Sequence, residues 1–233
     1  MSMLLGSGIR SELEKVFNVE PAFPRVWEGV RKLNKGKPLK RVSQFASVKN
    51  KMGMPVEGGI ELSLCYHLEW LPSVTQYRTQ PFTLELGLDG KYTPDFLVQH
   101  DNELFEVVEC KFSGSLGKQK VQNKIAAIKL YFKSQGIQFT VMTEKDFQSQ
   151  SFHNLKYLYG SAHYPFTKTQ KSYALQRLKD LGNEFTYSQA KNHFKQQDLL
   201  THFVNWAMFH RLLMFDVSAT LCGDTTLRVK HDF

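Results

Sequence analysis

Little in this chain suits a membrane or an oxidising compartment. Its only cysteines, Cys65, Cys110 and Cys222, stand far apart and form no CxxC pair, so neither a disulfide framework nor a zinc site is indicated. That suits a reducing cytosol, and a cytoplasmic location is expected. No apolar run is long enough to cross a bilayer. The N-terminus also lacks the basic flank, long apolar run and cleavage site of a signal peptide. Repeats and low-complexity tracts are absent. His193, His202 and His210 lack an i, i+4 pair with a third ligand, so they read as packed or solvated side chains. Acidic residues are outnumbered, with 22 Asp and Glu against 30 Lys and Arg and a formal net charge of +8. With no membrane segment in view, that balance favours nucleic acid as the anionic partner. The chain has 233 residues and is 42% apolar, enough to bury a core in each of two domains.

Against that background, one short stretch concentrates chemistry. Residues 92–98 form a β-rich run and 104–112 a second, with His100, Asp101, Asn102 and Glu103 as turn material between them. A hairpin turn centred near Asn102 sets Asp95 opposite Glu109 and Thr93 opposite Lys111. Side chains alternate along a strand, so Glu109 and Lys111 share one face and Cys110 takes the other. Two facing carboxylates repel unless a positive charge lies between them. A hard divalent cation such as Mg²⁺ removes that cost, held by one or two carboxylates and by a substrate phosphate. Lys111 is placed either to orient or deprotonate an attacking water, or to offset charge building on a phosphorane-like transition state. A surface hairpin carrying a cross-strand acid and lysine pair is the plainer alternative for such a motif.

Upstream, Ile60, Leu64, Leu68 and Leu71 recur at helical spacing, widened by Leu62, Cys65 and Tyr66, and Pro72 stops the helix. Gly58 and Gly59 lead into it. Glu61 then falls in the first turn, either as a third acid leaning over the sheet or as an acid favoured by the helix dipole.

Taken in order, Glu61, Leu62, Ser63, Tyr66, Leu68, Glu69, Pro72, Ser73, Val74, Gln80, Pro81, the run from Tyr92 to Val98 and the strand with Glu109, Cys110 and Lys111 resemble the TnsA endonuclease family over roughly residues 43–147. TnsA is the nuclease subunit of a two-part transposase. The resemblance implies an α/β (α+β) restriction-endonuclease-like PD-(D/E)xK core, a mixed sheet flanked by helices. It makes Glu61, Asp95 and Lys111 catalytic. Some members carry glutamine at the position of Glu109, so that site tolerates a neutral oxygen ligand, and the Cys110 backbone carbonyl becomes a further candidate ligand. The implied cofactor is Mg²⁺, with Mn²⁺ as a substitute. The implied activity is nicking of the 5′ strands at transposon ends in double-stranded DNA, while a TnsB-type RNase H-like transposase cuts and joins the 3′ ends. The rivals are a stand-alone nuclease of restriction or junction-resolving type, and a non-catalytic DNA-binding assembly module.

After Lys111, Gly114, Ser115 and Gly117 break the strand. Val121, Ile125, Ile128 and Phe132 then mark an amphipathic helix ending at Gly136, and a strand follows over 137–142. Lys118, Lys120, Lys124, Lys129 and Lys133 line the helix's other side, as a DNA-facing surface or a solvated one, with Lys118, Lys120 and Lys124 the candidate DNA contacts. Before the core, Arg31, Lys32, Lys35, Lys37, Lys40 and Arg41 form a basic arm, with Lys37, Lys40 and Arg41 as candidate grips on DNA. Lys49 and Lys51 lead through Gly53 and Pro55 to Glu57, a loop expected over the site.

The expected domains are a basic N-terminal arm with a helical lead at 1–42, the endonuclease core at 43–160, and a small domain at 168–233. In the last, helices are expected at 172–181, at 187–196 after a Thr186 cap, and at 198–213. A hairpin of 213–217 with 226–229 completes a winged-helix-like pattern. The family resemblance implies that this module contacts a TnsC-type AAA+ ATPase; the alternative is a helix in a DNA groove. The resemblance adds nucleoid association to the cytoplasmic reading.

Overall fold

Strands that are apolar without alternation must be covered on both faces, and this chain has two of them in succession. In a computed structural model that describes residues 2–3, 9–18, 25–30, 42–85, 90–195, 200 and 202–230, the chain divides into two compact units, Met1–Phe147 and Gln148–Phe233. The first unit runs β1 (Ser2–Met3), α1 (Ile9–Phe17), β2 (Val42–Ser47), β3 (Met52–Glu57), α2 (Gly59–Trp70), β4 (Val74–Thr79), β5 (Thr83–Glu85), β6 (Lys91–Tyr92), β7 (Phe96–His100), β8 (Phe105–Cys110), α3 (Gln119–Ser134) and β9 (Gln138–Met142). Its main sheet has the order β4-β7-β8-β9. The first two pairings are antiparallel and β8 with β9 is parallel, so the sheet is mixed. Helix α3 makes the crossover that the parallel pair requires. Phe96, Leu97, Val98, Phe105, Val107 and Val108 are buried in β7 and β8, the two central strands.

The hairpin register agrees with the sequence reading: Phe96 pairs with Val108, Leu97 with Val107, Val98 with Glu106 and Gln99 with Phe105. The first run, however, is not one strand. Tyr92 belongs to β6, which pairs with β5, and the chain breaks at Thr93–Pro94–Asp95 before β7 begins. Pro94 has no N–H to give a ladder, which is why a central strand cannot run through it. Thr93 therefore does not face Lys111; its hydroxyl lies 2.8 Å from that of Thr83.

Three further expectations need correction. The segment with Gly53 and Pro55 is an antiparallel hairpin, with Val42 facing Glu57 and Ala46 facing Gly53. Its Pro55 is tolerated because β2 and β3 form a two-stranded ribbon, where an edge position needs no N–H. The N-terminal lead, where described, is part of the first unit: Leu13 and Val16 of α1 are buried, and Phe17 stacks on Phe105 with ring centroids 5.9 Å apart. Residues 150–159 are helical and belong to the second unit, so the first unit ends at Phe147 instead of 160.

That second unit runs α4 (Gln150–Tyr159), α5 (Lys168–Lys179), β10 (Phe185–Thr186), α6 (Tyr187–His193), α7 (Phe203–Phe209), β11 (Leu213–Met214) and β12 (Thr226–Val229). Thr167 and Thr186 each form a capping box, with Gln170 and Gln189, so α5 starts earlier than the sequence suggests and α6 starts where expected. Helix α7 is shorter than the expected 198–213; it stops at His210, and Arg211 turns left-handed at φ 59°. Its strands take the order β10-β12-β11, antiparallel throughout. Phe194, Phe203 and Leu227 are fully buried there.

One buried carboxylate ties α2 to the sheet. Glu69 accepts from the Ser47 hydroxyl, from the Lys49 N–H at 3.1 Å and from the Tyr77 hydroxyl at 2.8 Å. Burial pushes its pKa up, with those hydrogen bonds opposing. A raised carboxyl pKa means that the folded state holds its proton longer, so stability falls as pH rises from the unfolded value to the folded one. Glu69→Ala is expected to cost about 3 kcal/mol in denaturant unfolding at neutral pH by stranding those donors. Glu69→Gln is expected to flatten the pH slope in that window; an unchanged slope would exclude Glu69 as its source.

Candidate active site

The site forms where the β7–β8 ladder runs out. Beyond the pair of Phe96 and Val108, the next ladder position would set Asp95 against Glu109. Pro94 has just removed a donor there, and the Asp95 side chain fills the gap: its Oδ2 accepts the Cys110 N–H at 2.7 Å. On the other side, the Asp95 carbonyl accepts the Gln80 N–H at 2.8 Å, from the residue following β4. Asp95 is thus fixed by backbone groups of both neighbouring strands.

Glu109 is buried at the end of β8. Its Oε2 accepts from the Tyr92 hydroxyl at 2.8 Å, and its Oε1 pairs with the Lys111 ammonium. The same ammonium lies 3.2 Å from the Cys110 carbonyl oxygen, and the Lys111 N–H donates to Met142 of β9 at 2.9 Å. Glu109 and Lys111 therefore share a face, as strand alternation requires. Glu61 sits in the first turn of α2, entered through Gly58 at φ 97°; it is 6% exposed, and its Oε2 accepts the Glu57 N–H at 2.7 Å.

The electrostatics connect these groups. Burial pushes the Cys110 thiol far up, and the charges of Asp95, Glu61 and Glu109 push it further, so all three carboxylates act on one point. Burial also raises the Tyr92 hydroxyl well above its ordinary value, reinforced by Glu109, which keeps it a neutral donor. At Lys111 burial works to lower the pKa, yet Glu109 and Asp95 more than offset it and the net direction is upward. Lys111 is consequently a firm ammonium at neutral pH.

The structure thus brings Asp95, Glu109, Cys110 and Lys111 together and sets Glu61 within electrostatic reach. Lys118, Lys120 and Lys124 are exposed around the start of α3, and Lys124 Nζ stands 5.7 Å from the centroid of the Tyr92 ring. Lys37, Lys40 and Arg41 lie outside the described residues, as does the rest of the 31–41 arm. Sequence reasoning missed Tyr92 as the partner of Glu109; only an aromatic residue just before Thr93 and Pro94 hinted at it.

Among the described residues, no group of three or more His, Cys, Asp or Glu side chains forms a ready metal cage. The donors that do converge are all oxygens: two carboxylates and the Cys110 carbonyl. Mg²⁺ is commonly held by one or two carboxylates, with waters and phosphate completing its shell, so this set fits a hard cation without a third side chain. A cation already occupies part of it, since the Lys111 ammonium touches both Glu109 and the Cys110 carbonyl.

Comparison with known families gives a match over the stretch that holds these residues. The model of the TnsA-like endonuclease N-terminal domain matches residues 71–144, which include Asp95, Glu109 and Lys111 and begin after Glu61. No curated protein matches the chain. The resemblance to TnsA read from the sequence is borne out over this stretch. Among the described residues, no helix is long and apolar enough to cross a membrane.

A raised lysine pKa contributes stability that is complete below the unfolded value, about 10.4, and is lost as pH rises through the higher folded value. The stability difference between wild type and Lys111→Met, measured by urea unfolding, should be flat from pH 7 to about 10 and should shrink above it. A difference that does not shrink above that pH would show that Lys111 is not held as an ammonium by its neighbours.

Proposed function

We propose that this chain, whose residues 71–144 carry a TnsA-like endonuclease N-terminal domain, is a Mg²⁺-dependent DNA endonuclease that nicks the 5′ strands at the ends of a mobile element. The observation that carries this reading is the meeting of Asp95, Glu109, the Cys110 carbonyl and the Lys111 ammonium at one end of the β7–β8 hairpin, inside the matched stretch.

Each residue has a task that follows from its setting. Asp95 and Glu109 supply the anionic oxygens that hold Mg²⁺, with the Cys110 carbonyl as a third ligand and Glu61 as an outer acid. When bound, the ion polarises the scissile phosphate and eases deprotonation of the attacking water. Tyr92 donates to one oxygen of Glu109 and fixes its orientation. Lys111 retains its proton, which favours offsetting phosphorane charge and orienting water over acting as a base. The exposed lysines Lys118, Lys120 and Lys124 bind the DNA backbone beside this pocket.

A single nuclease active site per end leaves the other strand to a second enzyme. The reading therefore includes a TnsB-type transposase for the 3′ ends, so that both strands are released and the element moves by cut and paste. The second unit supports a winged-helix assignment: α5, β10, α6 and α7 precede the β11–β12 hairpin, and β10 joins the sheet at β12. We assign it to contact with a TnsC-type AAA+ ATPase.

Asp95→Ala is expected to abolish nicking of the 5′ strand, and Lys111→Ala to reduce it by about 100-fold or more. The assay is strand-resolved cleavage of end DNA with the transposase partner and Mg²⁺. Both variants should keep the wild-type circular dichroism spectrum. Wild-type nicking by either would refute the assignment, and cleavage by the purified wild type with no partner would instead indicate a stand-alone nuclease.

A further inference from the structure

A strand end that gathers carboxylates needs a counter-charge, and this chain supplies one from its own sequence. The Lys111 ammonium donates to Glu109 Oε1 and lies 3.2 Å from the Cys110 carbonyl oxygen, two of the oxygens assigned above to Mg²⁺. Two further carboxylate oxygens are met by neutral donors: Glu109 Oε2 by the Tyr92 hydroxyl at 2.8 Å, and Asp95 Oδ2 by the Cys110 N–H at 2.7 Å. The backbone around Lys111 is held on both sides. Its N–H donates to the Met142 carbonyl at 2.9 Å, and the Ser113 N–H donates to Glu144 Oε2 at 2.9 Å, with the Ser113 hydroxyl on the other Glu144 oxygen.

Those donors differ in what they leave for a metal. A hydroxyl or an amide N–H uses one lone pair and adds no net charge, so a carboxylate it meets can still ligate a cation. An ammonium places a full positive charge on the oxygen itself. The Lys111 side chain is 33% exposed and that of Glu109 9%, so water screens the contact weakly, and a divalent ion brought to the same oxygens meets strong repulsion. The ammonium and the ion therefore exclude each other from Glu109 Oε1 and the Cys110 carbonyl. Lys111 can yield that place without disturbing β8, because its flexible stem moves while the clamped backbone stays.

We propose that the Lys111 ammonium holds the place of the divalent ion in the free protein and must release Glu109 and the Cys110 carbonyl for the ion to bind, so that metal loading and DNA binding are coupled through this one side chain. This rests on the endonuclease reading above. In the free chain Lys111 neutralises Glu109 and keeps metal affinity low. A DNA phosphate gives the displaced ammonium a new anionic acceptor, so DNA at the site strengthens metal binding. Such a coupling is reciprocal, and the metal tightens DNA by the same factor. Lys111 therefore regulates occupancy of the site as well as serving the cut.

The test uses the full chain with Mn²⁺ as the probe, its binding followed by the electron paramagnetic resonance of the free ion. Without DNA, Lys111→Met should bind Mn²⁺ about 10-fold more tightly than wild type, although it cuts less. Lys111→Arg, which keeps a cation beside Glu109, should show no such gain. End DNA made resistant to cleavage by a phosphorothioate at the cut should tighten Mn²⁺ on wild type by about 10-fold, and on Lys111→Met by clearly less. In wild type alone, labelling of Lys111 by an amine reagent, read by mass spectrometry, should rise when Mn²⁺ is added, a measurement that stands even if Lys111→Met fails to fold. Equal or weaker Mn²⁺ binding by folded Lys111→Met, or Lys111 labelling unchanged at saturating Mn²⁺, would overturn the proposal alone, provided wild type binds the ion. No Mn²⁺ binding by wild type or Lys111→Met, with or without DNA, would overturn the metal-dependent endonuclease reading together with it.

Discussion

The hydrogen bond from the Cys110 N–H to the Asp95 carboxylate is the interaction on which the site depends. It exists because Pro94 ends the regular ladder at the point where β8 still has an amide to satisfy. A side-chain oxygen takes over the role of a strand partner, and in doing so places a carboxylate beside the carbonyl of the same residue. Neighbouring strands of the first unit meet at that point. β4 fixes the Asp95 backbone through Gln80, β6 contributes Tyr92 to orient Glu109, and β9 accepts the Lys111 N–H.

Charge balance then explains why the site suits a cation. Three carboxylates bear on the Cys110 thiol, and the Lys111 ammonium is bound directly to one of them. Like charges held this close in a partly buried site favour any further positive charge that can enter. On the proposed endonuclease reading, the same excess of negative charge would repel a phosphate backbone, so a cation would have to enter before DNA, with the lysines of α3 as the longer-range attraction.

Much of this was legible in the sequence. The hairpin register followed from the polar turn at 100–103 flanked by apolar runs, and the shared face of Glu109 and Lys111 followed from strand alternation. The α2 boundaries and the placement of Glu61 followed from Gly58 and Pro72, and the Thr186 cap announced α6. What could not be read was contact between segments distant in sequence. The Ser113–Glu144 clamp, the Tyr92–Glu109 bond and the Gln80–Asp95 bond join residues whose spacing obeys no local period. The break at Pro94 was the exception: the proline was visible, but its effect in dividing the run between two sheets was not drawn. The hairpin at 42–57 was misread because Gly53 and Pro55 are loop signals that a two-stranded ribbon can accommodate.

The most direct measurement is anomalous diffraction from crystals of the chain with Mn²⁺ and cleaved end DNA. The account predicts a metal peak within about 2.2 Å of an Asp95 carboxylate oxygen, with Glu109 or the Cys110 carbonyl as a second ligand and a DNA phosphate in the same shell. DNA bound with its phosphates away from Asp95 and Lys111, and no metal between those residues, would contradict it.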